Sequence, residues 1–239
     1  YMATKSKKPA HKGGKHAPAP EEKIEGAIGK TEEFLQNNMK PLLIVLIVAV
    51  LLVGGYFGYR YLVQEPKMQK AADAMYTAEM LFMQADYSAA LNGDGVNEGF
   101  LDIVDSYGST PQGRLAAHYA GVCYMHLEQY DDALIYLQKY NTRKGAPAAI
   151  INAQNFGLQG DVYVQQGNYK KASELYDLAV KEGDNVLTTA YYLKKYAMAN
   201  EKLGNIPAAL EACKRIKIDY PGSLEARDIE KMIGRLEQK

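Results

Sequence analysis

The sequence contains no tryptophan, five phenylalanines and two cysteines among its 239 residues. Cys123 and Cys213 build no disulfide framework and no Cys-x-x-Cys metal or redox motif, so they leave the redox compartment open. A G-x-S-x-G elbow, an H-E-x-x-H helix, a Walker loop and a Rossmann fingerprint are all missing, which removes the recognisable enzyme classes. Histidine is scarce. His11 and His16 lie near the start, and His118 and His126 lie eight residues apart, about 12 Å along a helix, too far to share a metal. Asn92-Gly-Asp-Gly-Val-Asn97 resembles the start of a calcium loop. However, Val96 stands where the fifth-position ligand belongs and Ile103 where the bidentate glutamate belongs, so it reads as a turn. No catalytic residue, cofactor or metal is expected.

Net charge is also absent, with 28 basic and 28 acidic residues, but the balance hides a split. The first 40 residues hold eight lysines and five glutamates, leaving 20 basic and 23 acidic residues for the rest. A mildly acidic body lacks the concentrated cationic face that nucleic acid requires, so no nucleic-acid partner is expected. Met2 reads as the natural start, with Tyr1 extraneous to it.

What is present begins with one apolar run. From Pro41 to Tyr59 no residue is charged, and Leu42–Val53 is apolar throughout. Lys40 and Arg60 bracket about 30 Å of helix, the thickness of a bilayer core, and Tyr56, Phe57, Tyr59 and Tyr61 form an interfacial aromatic cluster. The segment 41–62 therefore reads as a transmembrane signal anchor. The preceding tail is too long for a signal-peptide n-region, and no small-x-small cleavage pattern follows in 54–66. The lysine-rich tail places the N-terminus in the cytoplasm, although within twenty residues of the span the count is three against three. In a bacterium this gives a single-pass inner-membrane protein with a periplasmic body. Gly54, Gly55 and Gly58 form a face that lets a second membrane helix approach closely. In the tail, residues 2–20 read as disordered. Residues 20–39 carry Ile24, Ile28, Thr31, Leu35 and Met39 at helical spacing, as an amphipathic helix on the membrane surface does.

Beyond the span the chain repeats. The tetratricopeptide-repeat (TPR) pattern starting at Ala153 gives Phe156, Gly160, Tyr163, Gly167, Tyr169, Ala172, Tyr176 and Ala179. Gly160 and Ala172 are small where two helices cross, and Gly167 occupies a turn that favours positive φ. Registers starting at Arg114 and Ala190 repeat the pattern, with Glu128 in the first turn position and Asn200 in the third tyrosine position. The surplus over a 34-residue repeat falls in loops around 142–149 and 181–185. The fold class is thus all-α: a single transmembrane helix followed by a TPR helical-repeat solenoid over 63–239. A degenerate helical pair, 68–85 and 97–107, caps the start. An amphipathic helix over 224–237, carrying Leu224, Ile229, Met232, Ile233 and Leu236, closes the end. In this register Cys123 and Cys213 stand too many helices apart to bridge.

The first helix of each repeat lines the inner face of such a stack. This selects Leu115, His118, Val122, Met125 and His126, then Gln154, Gly157, Asp161, Val164 and Gln165, then Tyr191, Lys194, Met198, Glu201 and Lys202. The basic–Asn clamp that holds C-terminal carboxylates in some TPR domains is absent. Adaptable methionine and aromatic contacts suit loosely specific polypeptide binding.

The tail ending Glu33-Phe34-Leu35-Gln36-Asn37-Asn38-Met39-Lys40, the span closing Gly58-Tyr59-Arg60-Tyr61, the degenerate first pair and the repeats together resemble the YfgM family over roughly residues 30–239. The lysine- and histidine-rich extension and the regular second repeat depart from that family's pattern. The resemblance implies an ancillary subunit of the SecYEG translocon. The anchor would associate with the translocon and with the PpiD-like periplasmic chaperone in the lipid bilayer, and the repeats would contact secretory or outer-membrane polypeptide clients. The competing expectation is an envelope scaffold that assembles a different inner-membrane, outer-membrane or cell-wall biogenesis complex.

Overall fold

The computed structural model describes residues 34–140, 142, 146–185 and 187–239. The expected disordered tail lies outside these residues, as does most of the amphipathic helix expected over 20–39. Of that helix only its last turn is described: residues 34–37 are helical, and the Asn38 backbone and side-chain amides both donate to the Phe34 carbonyl. The described residues are helices, turns and loops, with no β-strand. The chain divides into two compact units, one ending at Tyr61 and one spanning Leu62–Lys239.

In the first unit, helix α1 runs Met39–Tyr59. Its leucine, isoleucine and valine side chains are exposed and none of its residues is buried. In water such a surface would be strongly unfavourable; in hydrocarbon it is the ordinary condition of a spanning helix. Among the described residues this is the one stretch long and apolar enough to cross a membrane. Five residues, Arg60–Gln64, follow as a π-helical turn.

The second unit contains α2 (Glu65–Met83), α3 (Tyr87–Asn92), α4 (Phe100–Tyr107), α5 (Pro111–His126), α6 (Tyr130–Lys139), α7 (Ala146–Gln165), α8 (Tyr169–Lys181), α9 (Thr189–Lys202) and α10 (Ile206–Asp219). A 3₁₀ turn, Glu225–Asp228, and α11 (Ile229–Leu236) complete it. Four turns share one geometry. The backbone amides of Asp86, Gln129, Asn168 and Asn205 donate to the carbonyls five residues earlier, on Leu81, Tyr124, Tyr163 and Asn200, at 3.1, 2.8, 2.8 and 2.9 Å. The residue before each amide is left-handed: Ala85, Glu128, Gly167 and Gly204 have φ of 61°, 59°, 74° and 76°. This six-residue closure satisfies carbonyls at the end of the first helix. Asp86, Asn168 and Asn205 then cap the second helix by accepting from the amide three residues on.

The shared turn changes the reading of the first pair. The TPR partner of α2 is α3, which was not expected, and α4 comes only after a break at Gly93. The broken segment is a fixed turn, because the Asp94 carboxylate accepts from the Val96 and Asn97 backbone amides and from the Asn97 side chain. These hydrogen bonds, Asn97's first, hold the Asp94 pKa down at about 2. The expected loop 142–149 is also shorter. Helix α7 begins at Ala146, two turns ahead of the repeat start, on an Ala-Pro-Ala-Ala sequence that suits a first helical turn.

The helices enclose one apolar core cluster around Phe100, Ile103, Leu91 and Cys123, and a second around Tyr176, Leu193, Cys213 and Ile216. Leu137, Ala133 and Val162 form a small cluster of their own. Close approaches are made by glycine: a Cβ at Gly160 would stand 2.7 Å from the Tyr176 ring, and one at Gly121 2.6 Å from Leu137 Cγ. Asn200, in the tyrosine slot of the third repeat, is buried and donates to Ser173 Oγ at 2.8 Å and to the Tyr196 carbonyl at 2.9 Å. At the C-terminal end Ile229, Met232 and Leu236 seal the stack, whereas Leu224, expected on that apolar face, is exposed. Both cysteines are free and buried. Burial pushes the Cys123 thiol up to about 12 and the Cys213 thiol to about 11.

Candidate functional site

The first helices α2, α5, α7 and α9 share one face, and two depressions open on it. The larger, about 410 Å³, is lined by these four helices alone: Phe82, then Leu115, His118, Tyr119 and Val122, then Ile151, Gln154 and Leu158, then Tyr191 and Tyr192. No carboxylate, lysine or arginine is in its wall. The smaller, about 290 Å³, lies between the second and third repeats. It is lined by Asp161, Val164, Tyr169, Tyr176, Lys195, Met198, Ala199 and Lys202.

The expected groove residues divide among distinct roles. Leu115, His118, Val122, Gln154 and Tyr191 meet in the larger depression, and Asp161, Val164, Met198 and Lys202 in the smaller. His118 is buried, with its Nδ1 3.1 Å from Asn155 Nδ2. Because that amide donates, Nδ1 is an acceptor and the ring is neutral. Asn155 in turn accepts from Gln159 at 2.8 Å. Burial lowers the His118 pKa to about 4.

Met125, His126, Gly157, Gln165, Lys194 and Glu201 line neither depression. His126 stacks flat on Tyr87, with ring centroids 3.9 Å apart, and Met125 packs beside the Ala133–Leu137 cluster. Lys194 donates to Asp228 at 2.8 Å. Glu201 accepts from Arg235 at 2.8 Å and Lys239 at 2.6 Å. Both charges are spent on the closing segment rather than presented to a ligand. Gly157 serves packing too, since a Cβ there would stand 2.0 Å from the Tyr192 ring. On α1, a Cβ at Gly54, Gly55 or Gly58 would meet nothing within 4 Å.

Asp161 has a structural task as well. It accepts from Lys195 Nζ at 2.6 and 2.7 Å and from the Tyr176 hydroxyl at 2.6 Å. Burial works against the Lys195 ammonium, but the hydrogen bonds to Asp161 and Tyr191 and the attraction of the Asp161 charge together outweigh it, so its pKa is raised. The same ammonium lies 4.6 Å from the Tyr191 ring centroid, within cation–π range. These links follow the repeat: Lys195–Asp161, Lys194–Asp228 and Arg235–Glu201 each span 34 residues. Adjacent first helices are therefore tied by charge pairs one repeat apart. Tyr119, Tyr176, Tyr192, Lys195, Ile151 and Leu158 were not selected for the groove from the sequence. Tyr192 and Lys195 directly follow groove positions on α9, and the others sit at packing positions whose edges become the depression walls.

The tetratricopeptide-repeat family profile matches residues 158–223. A search of curated proteins finds none that matches the chain. Among solved structures, the chain is similar to MamA protein, with a TM-score of 0.51 and 14% identity, covering 70% of this chain and 86% of that one. It is also similar to the nearly identical TPR-like repeats of a kinesin-light-chain-type protein from Podosopora anserina. There the TM-score is 0.51 and the identity 13%, covering 71% of this chain and 85% of that one. At such identities the likeness concerns the fold. The second unit is a TPR-type helical solenoid, an architecture that serves as a scaffold for protein–protein interaction.

Proposed function

We propose that the chain is a membrane-anchored polypeptide-binding adaptor, an accessory subunit of the Sec translocon. In this reading α1 spans a bacterial inner membrane, the N-terminal tail is cytoplasmic and the repeats are periplasmic. The face of Gly54, Gly55 and Gly58 receives another membrane helix. The repeats receive translocon-associated chaperones or emerging secretory clients. The observation that carries the binding role is the charge-free depression of about 410 Å³ shared by all four first helices. A wall mostly of aliphatic and aromatic side chains, with Gln154 and the neutral His118 as its uncharged polar members, offers apolar contact without demanding a charged partner, which suits clients of varied sequence. The resemblance of the Glu33–Lys40 and Gly58–Tyr61 segments to the YfgM family supports the translocon assignment.

Affinity purification of the full chain in mild detergent tests it, with bound proteins identified by mass spectrometry. SecY and a membrane-anchored chaperone are expected among them. Recovery of a different stable envelope assembly without SecY would replace the translocon role with that of a scaffold for that assembly. Alkaline phosphatase fused after Lys239 should be active; an inactive fusion, with an active cytoplasmic reporter at the same point, would reverse the topology.

A further inference from the structure

The two depressions differ in charge, and the difference narrows the ligand. This step rests on the polypeptide-binding reading above. The larger depression has no charged wall. In the smaller one the Asp161 and Lys195 charges cancel at 2.6 Å. Lys202 remains. It is exposed, it stands on the rim of the smaller depression, and its ammonium has no ion-pair partner among the described residues. Lys194 and Glu201 on the same helix are already paired with the closing segment. The lining of the smaller depression thus carries one net positive charge beside apolar walls of Val164, Tyr169 and Met198.

The spacing is set by α9. Tyr191 in the larger depression and Met198 in the smaller are seven residues apart, about 10 Å along the helix axis at ~1.5 Å per residue. A polyproline-II chain advances about 3.1 Å per residue and returns its side chains to one side every third residue. Side chains at i and i+3 therefore stand about 9 Å apart and reach both depressions. Lys202 lies one helical turn beyond Met198, about 6 Å further on.

We infer that the groove takes an internal extended segment with two apolar side chains three residues apart, followed within two residues by an aspartate or glutamate that pairs with Lys202. A chain terminus fits less well. Terminal carboxylates are captured by several converging donors, and the other ammonium in the depression, that of Lys195, is held by Asp161. One exposed ammonium suits a side-chain carboxylate that keeps part of its hydration.

The test uses the full chain in detergent micelles and fluorescent peptides of about ten residues, blocked at both ends. One carries Tyr-x-x-Leu-x-Glu and one carries Gln in place of Glu. A third ends in a free carboxylate after the Leu. Binding is read by anisotropy at about 50 and about 500 mM salt. At low salt the Glu peptide should bind about two- to five-fold tighter than the Gln peptide. High salt should erase the advantage. Lys202→Gln should erase it too, so that the Glu and Gln peptides bind that variant alike. Lys202→Glu should shift the preference to a lysine-bearing peptide, and Tyr191→Ser should weaken all of them. Circular dichroism checks that each variant is folded. Equal binding of the Glu and Gln peptides, with Tyr191→Ser still weakening both, overturns the acidic ligand and leaves the groove intact as a polypeptide site. Tighter binding of the free-carboxylate peptide than of the Glu peptide overturns the internal segment. Failure of every peptide to bind overturns both this inference and the groove reading.

Discussion

Gly157→Ala probes the contact between successive first helices most directly. Gly157 is buried in the middle of α7, and a Cβ there would stand 2.0 Å from Tyr192 Cε1, 2.4 Å from Cζ and 2.7 Å from the hydroxyl. The Tyr192 ring has little room to yield. It is 5% exposed, with the Tyr191 and Tyr176 ring centroids 5.0 and 6.5 Å away. Overpacking a well-filled site costs about 1–3 kcal/mol, and so deep an overlap belongs at about 3 kcal/mol. Alanine in a helix interior returns about 1 kcal/mol of propensity. The net loss is then about 2 kcal/mol, a fall in Tm of about 4–8 °C for a unit of this size. Gly234→Ala in α11 is the control, because a Cβ there meets nothing within 4 Å. That change keeps only the propensity gain and should raise Tm by about 2–4 °C. Thermal unfolding of the full chain in detergent, followed by helical circular dichroism, measures both. A Gly157→Ala melting point at or above the wild type, with Gly234→Ala behaving as expected, would refute the packing of α7 on α9 at this point. If the contact is real, Gly157→Ala combined with Tyr192→Leu should be less destabilised than the sum of the single variants.

Lowering the pH should weaken the fold through His118. Its folded pKa, about 4, lies below the ordinary 6.5, so the unfolded chain takes the proton first as pH falls. Stability declines from about pH 6.5 to about pH 4, by about 3 kcal/mol for this group. Urea titrations of wild type and His118→Gln across that window should show the slope only in the wild type; parallel slopes would place the pH dependence elsewhere. Glu128→Gly should stabilise the protein by about 1 kcal/mol, because a left-handed non-glycine residue sits at φ 59°. An unchanged or lower denaturation midpoint would mean that the Glu128 side chain makes a contact of equal worth. Cys123 and Cys213, buried with raised thiol pKa values, should resist alkylation in the folded chain and label together after denaturation without reductant. An intramolecular crosslink between them, found by mass spectrometry, would contradict the chain path itself.

The repeat pattern was legible because it encodes backbone geometry. Gly167 and Gly204 mark left-handed turn positions, and Gly160 marks a crossing that a side chain would obstruct. These are requirements that a residue type answers by itself. The additional pair formed by α2 and α3, ahead of the repeat that starts at Arg114, was hidden for the same reason. Ala85-Asp86-Tyr87 with Ala90 reproduces Gly167-Asn168-Tyr169 with Ala172, but alanine stands in the glycine slot, and the glycine-rich insertion at 93–95 cuts the second helix short. The chain accepts an unfavourable φ of 61° at Ala85 because the hydrogen bond from Asp86 to Leu81 and the Asp86 cap hold the turn from both sides. The φ preference of one residue lost to the hydrogen bonds that close the turn around it, and no count of pattern matches exposes that contest.

The groove was harder to read, because a repeat pattern places a side chain on a face without saying what the charge at its end will meet. Lys194, Glu201 and Asp161 all occupy inner-face positions, and from sequence each is an equal candidate for contacting a ligand. The structure pairs each of them with a neighbouring repeat or the closing segment: Lys194–Asp228, Asp161–Lys195 and Glu201–Arg235 each span 34 residues, and Glu201 also holds Lys239. An inner face carrying three unpaired charges would repel apolar segments. With those charges paired off, apolar and aromatic side chains dominate the walls of both depressions, and Lys202 is the lining charge left without a partner. The same pairs thus brace adjacent repeats and set what the groove can accept. Breaking one of them, as in Asp161→Asn, should therefore change ligand preference as well as stability, because it would release Lys195 into the smaller depression beside Lys202.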